Sequence, residues 1–108
     1  MNEAWSDEWL DEVVTGNGLV LFMKGTPEQP MCGFSNRAAT VLNQLNEPFT
    51  TVNVLSDPNA IPSVCAWSDF PTMPQVFVHG ELIGGSDIAL EMYQSGELQK
   101  MLEDGNPS

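Results

Sequence analysis

Residues 19–35 read LVLFMKGTPEQPMCGFS, and their order predicts a buried strand, a loop and the start of a helix. The first five residues are all apolar, which is typical of a strand covered on both faces. One glycine and two prolines then interrupt regular structure, so residues 24–31 are expected to form a loop. After Cys32, apolar side chains recur at helical spacing, namely Phe34, Ala38, Val41, Leu42 and Leu45. Cys32 is therefore expected where the loop meets this helix.

Helix and strand signals alternate on either side of this stretch. Apolar residues spaced by four from Trp5 predict an N-terminal helix over about residues 3–15. Downstream, the pattern predicts a strand at 49–55 and an irregular third helix, which Ser56 or Asp57 caps and which ends near Trp67. It then predicts a hairpin with strands at 75–79 and 82–83, a helix capped by Ser86 or Asp87, a short helix at 97–102 and a frayed tail at 103–108.

The order of these elements restricts the fold. A βαβ crossover followed by a hairpin requires a mixed sheet of four strands, because the crossover pairs strands in parallel and the hairpin pairs them antiparallel. Helices must then cover both faces of this sheet. We therefore expect an α/β, thioredoxin-like fold, built as a single domain over residues 1–108 with its core at about 18–102.

The charge of the chain excludes several classes of partner. Fifteen acidic residues stand against three basic ones, for a formal net charge of −12. Nucleic acid and anionic membrane surfaces both attract clustered Lys and Arg, so neither is an expected partner. The longest apolar run, at positions 19–23, is far too short to span a bilayer. The acidic N-terminus lacks a signal-peptide pattern, so the expected location is the cytoplasm.

The cysteine pattern points to chemistry at a single thiol. The chain has two cysteines, Cys32 and Cys65, and no C-x-x-C pair. A helix N-terminus stabilises an anion, and Lys24 adds a positive charge nearby, so we expect a lowered pKa and a reactive thiolate at Cys32. Ser35 stands where a resolving thiol would stand in a C-x-x-C pair and cannot form a disulfide. Cys65 is expected to be a half-buried core residue, with a secondary redox role as the alternative.

Four segments carry a resemblance to a known family. They lie in unbroken order between about Leu19 and Leu102: Lys24-Gly25-Thr26-Pro27, Cys32-Gly33-Phe34-Ser35, WSDFPTMPQ at 67–75 and GELIGGSD at 80–87. Together they resemble the monothiol glutaredoxins of the CGFS class, in the thioredoxin-fold superfamily. Four motifs at matching spacing are a specific signal, whereas C-G-F-S alone would be a weak one.

The resemblance implies a glutathione site and a metal site. A cis proline at Pro74 would turn its segment toward Cys32, and the start of the helix at Ser86 would receive the γ-glutamyl group. The glutathione-binding residues implied are Lys24, Cys32, Phe34, Thr72, Met73, Pro74, Gly85, Ser86 and Asp87. Cys32 would also be the catalytic residue and the metal ligand. In the family, two protomers bridge one [2Fe–2S] cluster through two such cysteines and two glutathione thiolates.

The function implied is that of a cluster carrier. A glutathione-ligated homodimer would bind and transfer [2Fe–2S] clusters to apo iron–sulfur client proteins, with a BolA-like protein as a further partner. The alternative is a glutathione-dependent thiol–disulfide oxidoreductase that removes glutathione from mixed disulfides through Cys32. A third reading is a redox-silent interaction module that keeps only the fold.

Some positions depart from the family pattern or carry no assigned role. Many relatives have a basic residue on helix three, where this chain has the uncharged run 61–65. Glutathione is therefore expected to bind more weakly, or through Lys24 and Gln29 alone. Ser86 stands where some members carry a second cysteine. His79 is expected to be merely solvated. The remaining helix residues at apolar spacing are expected in the core, with a partner surface as the alternative: Trp5, Trp9, Met92 and Tyr93.

Overall fold

The sheet predicted from the sequence is present in the computed structural model, which describes residues 3–104. The elements in order are α1 (Asp7–Thr15), β1 (Leu19–Met23), α2 (Gly33–Asn43), β2 (Thr50–Asn53), α3 (Ala60–Ser68), β3 (Gln75–Val78), β4 (Glu81–Gly84), α4 (Ser86–Ser95) and α5 (Glu97–Asp104). The strand order is β2-β1-β3-β4. The β1–β2 pair is parallel and the other two pairs are antiparallel, as in a thioredoxin-like fold. Among the described residues, no helix is both long enough and apolar enough to cross a membrane.

Strand β1 forms the centre of the core because all five of its side chains are buried. They alternate between the two faces of the sheet, as the period of a strand requires. Leu19, Leu21 and Met23 pack in one cluster with residues of α2, α4 and α5. Val20 and Phe22 pack in a second cluster with residues of α1 and α3. The continuous apolar run therefore corresponds to a strand with helices on both sides, as predicted.

Helix α1 begins at Asp7, so the expected start near residue 3 was too early. The backbone of Trp5 is left-handed, with φ of 69°, and Ser6 Oγ accepts a hydrogen bond from the Trp9 amide at 3.2 Å. This capping bond fixes the start of the helix. The rings of Trp5 and Trp9 lie 5.1 Å apart, and both side chains pack against the α1–α3 cluster as expected.

Helix α3 also starts later than predicted, at Ala60 rather than after Ser56 or Asp57. Asp57 instead orders the preceding turn, since its Oδ1 accepts a hydrogen bond from the Asn59 amide at 2.8 Å. Pro62 is then the third helical residue. Its missing N–H is one of those that have no partner in a first turn, so the helix tolerates it.

The hairpin and the last helix differ from the expectation at their ends. His79 and Gly80 form the turn with φ of 49° and 85°, so β3 ends at Val78 and β4 begins at Glu81. His79 Nε2 lies 3.1 Å from the Leu102 carbonyl oxygen, so this residue joins the turn to α5 and is not merely solvated. Residues 103 and 104 belong to α5, and the rest of the expected tail, 105–108, lies outside the described residues.

Most of the other predicted core positions are buried, with one exception on α4. Met92 packs against the core, whereas Tyr93 is 37% exposed and belongs to the surface. The second strand covers only Thr50–Asn53, so it is shorter than the predicted strand at 49–55. Val54 after it is still buried, whereas Leu55 is exposed to solvent.

The central position of β1 predicts a large energetic difference between two leucines. Leu21 is fully buried and Leu55 is 48% exposed. Leu21→Ala should lower the free energy of unfolding by about 3 kcal/mol, because it leaves a cavity in the core. Leu55→Ala should change it by less than about 1 kcal/mol. Urea unfolding followed by circular dichroism measures both, and equal losses would contradict the assigned position of β1.

Candidate thiol site

A pocket of about 590 Å³ opens at the end of the sheet where β1 ends and β3 begins. All nine residues that the sequence predicts for the site line it, so four separate segments of the chain meet there. The additional lining residues are apolar, namely Ile61, Phe70, Pro71 and Ile88. Phe70 and Pro71 lie within the WSDFPTMPQ segment and Ile61 lies in the uncharged run 61–65, whereas nothing in the sequence marks Ile88 as a site residue.

Cys32 is the N-cap residue of α2 and is partly exposed in the pocket. The backbone N–H of Ser35 lowers the pKa of its thiol most, partial burial opposes this effect, and the backbone N–H of Phe34 lowers the pKa further. The Ser35 hydroxyl and then the charge of Lys24 lower this pKa by less. The expected thiolate is therefore stabilised mainly by the helix terminus and only slightly by Lys24.

Ser35 has a structural role beyond the absence of a resolving thiol. Its side chain is fully buried, and its Oγ accepts a hydrogen bond from the Lys24 amide at 3.0 Å. The hydroxyl hydrogen is then available to the Cys32 sulfur, since a hydroxyl both donates and accepts. Ser35 thus connects the end of β1 to the thiol.

A second wall of the pocket contains the Met73–Pro74 peptide bond, which is cis as the resemblance implies. Both residues are buried. Gln75 follows them and is also fully buried. Its Nε2 donates hydrogen bonds to the carbonyl oxygens of Phe70 and Thr72, each at 3.2 Å. This glutamine fixes the loop at 70–74, a role that the sequence reasoning missed.

The third wall is the start of α4, where Gly85 is the N-cap residue in place of the expected Ser86 or Asp87. The amides of Ser86 and Asp87 therefore lie in the first turn, where backbone N–H groups have no partner within the helix. A Cβ at Gly85 would lie 3.3 Å from the Pro74 carbonyl oxygen, so glycine allows α4 to approach the cis-proline segment. Asp87 is exposed, and its Oδ1 accepts a hydrogen bond from Arg37 Nη1 at 3.1 Å.

Two residues, Phe34 and Gln29, differ from the expectation, whereas Cys65 and helix α3 agree with it. Phe34 is 57% exposed at the pocket, so it does not begin the buried stripe of α2. Gln29 does not line the pocket. Cys65 is half-buried as expected, and burial raises the pKa of its thiol. From α3 only the apolar Ile61 reaches the lining, which agrees with the absence of a charge at 61–65.

The fold and the thiol pocket together define a class, the thioredoxin-like proteins with one active cysteine. Comparison with known proteins specifies the family. Residues 19–83 match the glutaredoxin family model. A monothiol glutaredoxin of Synechocystis, described as uncharacterized and ycf64-like, is 51% identical over 87% of this chain and 88% of its own length. This chain belongs to the glutaredoxin family and is a monothiol glutaredoxin.

Solved structures agree with this assignment. A monomeric truncated mutant of Trypanosoma brucei 1-C-Grx1 has a TM-score of 0.84 and 39% identity, covering 95% of this chain and 94% of that one. A buckwheat glutaredoxin, solved as a glutathione complex, has a TM-score of 0.78 and 27% identity, covering 91% of this chain and 87% of that one.

The two thiols should differ in their reaction with iodoacetamide. Because its pKa is lowered, Cys32 should hold more thiolate at neutral pH than an ordinary cysteine, and it should be alkylated before Cys65. Ser35→Ala removes the hydroxyl that helps to lower the pKa of Cys32. The midpoint of the rate–pH profile for Cys32 alkylation should therefore move to higher pH. Mass spectrometry of each modified peptide measures this, with Ser95→Ala as a distant control. Faster alkylation of Cys65 would contradict the assigned environments.

Proposed function

We propose that this protein binds and transfers a [2Fe–2S] cluster as a glutathione-ligated homodimer. The observation that carries the proposal is the Cys32 thiol, which has a lowered pKa and opens into a pocket large enough for a small peptide. A thiolate is the form of cysteine that binds a metal.

The pocket has groups suited to each part of glutathione. The amides of Ser86 and Asp87 suit the γ-glutamyl carboxylate, and the Asp87 carboxylate suits the ammonium group. The backbone before Pro74 can pair with the cysteinyl part, and Lys24 is the cation for the glycine carboxylate. The glutathione complex of the buckwheat glutaredoxin supports a ligand of this kind.

The surroundings of Cys32 suit a cluster shared between two chains. Such a cluster takes four thiolate ligands, which two Cys32 residues and two glutathione molecules would supply. A Cβ at Gly33 would meet no atom within 4 Å, so the space around the residue that follows Cys32 is open. Met31 and Phe34 are 66% and 57% exposed and offer apolar surface to a second protomer. When bound, the cluster is cargo that passes to an acceptor.

The partners and compartment follow from this role. Apo iron–sulfur proteins would receive the cluster, and a BolA-like protein could replace one protomer of the dimer. The proposed compartment is the cytoplasm, where thiols stay reduced; both cysteines are free in this structure.

The lowered pKa of Cys32 also favours a second function, glutathione-dependent thiol–disulfide exchange. The Cys32 thiolate would attack the glutathione sulfur of a mixed disulfide and release the other partner as a thiolate. A second glutathione thiolate would then attack the Cys32–glutathione disulfide. That step yields oxidised glutathione and returns the Cys32 thiolate.

Anaerobic reconstitution with iron, sulfide and glutathione tests the proposal. The wild type should gain visible sulfur-to-iron charge-transfer bands and elute as a dimer from a size-exclusion column. Cys32→Ser should lose both properties, with at least about tenfold less visible absorbance, because it removes the protein ligand. Cys65→Ser is the matched control and should keep both.

Two results would contradict the cluster function. A colourless monomeric wild type that reduces a glutathionylated peptide without iron would favour the oxidoreductase. Colour that survives in Cys32→Ser would mean that the metal binds elsewhere.

A further inference from the structure

Arg37 lies beside the pocket, although the sequence motifs assign it no role. Its contact with Asp87 joins the start of α2 to the start of α4, and Asp87 lines the pocket. The two side chains are 51% and 81% exposed. Ion pairs with this exposure contribute little to stability, so fold stability does not explain the position of Arg37.

We propose that Arg37 is a specificity-determining residue that binds the α-carboxylate of a γ-glutamyl ligand while Asp87 binds its α-ammonium group. The inference rests on the proposed function, in which that ligand is glutathione. The α-amino acid head of a γ-glutamyl group is a zwitterion. The Arg37–Asp87 pair presents the same two charges side by side, so each can face its opposite on the ligand.

Both side chains have hydrogen-bonding capacity beyond their mutual contact. The hydrogen bond between them runs from Nη1 of Arg37 to Oδ1 of Asp87. A guanidinium group has five N–H donors and a carboxylate accepts about four hydrogen bonds. The ligand can therefore bind to the pair without separating it, and Arg37 holds Asp87 in place before the ligand arrives.

The distribution of positive charge supports this assignment. The chain has three basic residues against fifteen acidic ones. Lys24 lines the pocket, and Arg37 pairs with a residue that lines it. Glutathione has two carboxylates, so each would have one cation. Helix α3 contributes only the apolar Ile61 to the pocket, so it offers no charge to the glycine end of glutathione. The γ-glutamyl end of glutathione would therefore contact more charged and hydrogen-bonding groups than the glycine end.

The experiment compares Arg37→Ala with Lys100→Ala, which removes the same charge from an exposed position on α5 outside the pocket. Two probes are titrated by NMR: S-methylglutathione, and its derivative with the γ-glutamyl α-carboxylate converted to an amide. The methyl group removes thiol chemistry, so binding is measured apart from cluster formation. Arg37→Lys tests whether a positive charge alone is enough.

Arg37→Ala should weaken binding of S-methylglutathione by about twofold to fivefold, the range expected for one exposed charged contact. The α-amide derivative should bind the wild type and Arg37→Ala alike. Lys100→Ala should match the wild type with both probes, and Arg37→Lys should restore part of the loss.

Three results would overturn the role of Arg37. The first is that Arg37→Ala loses the same amount of affinity for both probes. The second is that Arg37→Ala binds S-methylglutathione more tightly than the wild type, and the third is that the wild type does not bind S-methylglutathione. Tighter binding would mean that Arg37 competes with the ligand for Asp87. The proposed function fails separately, if the wild type binds the probe with the expected Arg37 dependence but forms no cluster with glutathione.

Discussion

The position of Cys32 at the first turn of α2 is the constraint on which the site depends. The backbone N–H of Ser35 lowers the pKa of the thiol most, and the Ser35 side chain with its hydroxyl is fully buried. The same hydroxyl accepts the Lys24 amide at the end of β1. The strand that organises both halves of the core therefore also fixes the position of the thiol, so fold and reactivity share one buried contact.

In the other walls of the pocket, too, buried residues hold the exposed residues in position. Gln75 is buried and holds the loop before the cis proline. Gly85 lets α4 approach that loop. The groups available to a ligand or a second protomer, Phe34 and Asp87 among them, are exposed at the pocket. A rigid frame of this kind reduces the entropy that binding must overcome.

The sequence predicted the sheet and the nine pocket residues because these depend on strong local patterns and on ordered motifs. The apolar run of β1 admits few interpretations. Helix starts were less predictable, because the N-cap residues Ser6, Asn59 and Gly85 compete with neighbours of similar capping propensity. The contacts of His79, and the ion pair between Arg37 and Asp87, join positions far apart in the chain. A single sequence carries no signal for such pairs.

The stoichiometry of the reconstituted protein tests the shared-cluster proposal most directly. Native mass spectrometry of the coloured peak should give one species containing two chains, two glutathione molecules and one [2Fe–2S] cluster. That composition follows from one thiolate per chain and four ligands per cluster. A coloured species that lacks glutathione, or a monomer that carries its own cluster, would contradict it.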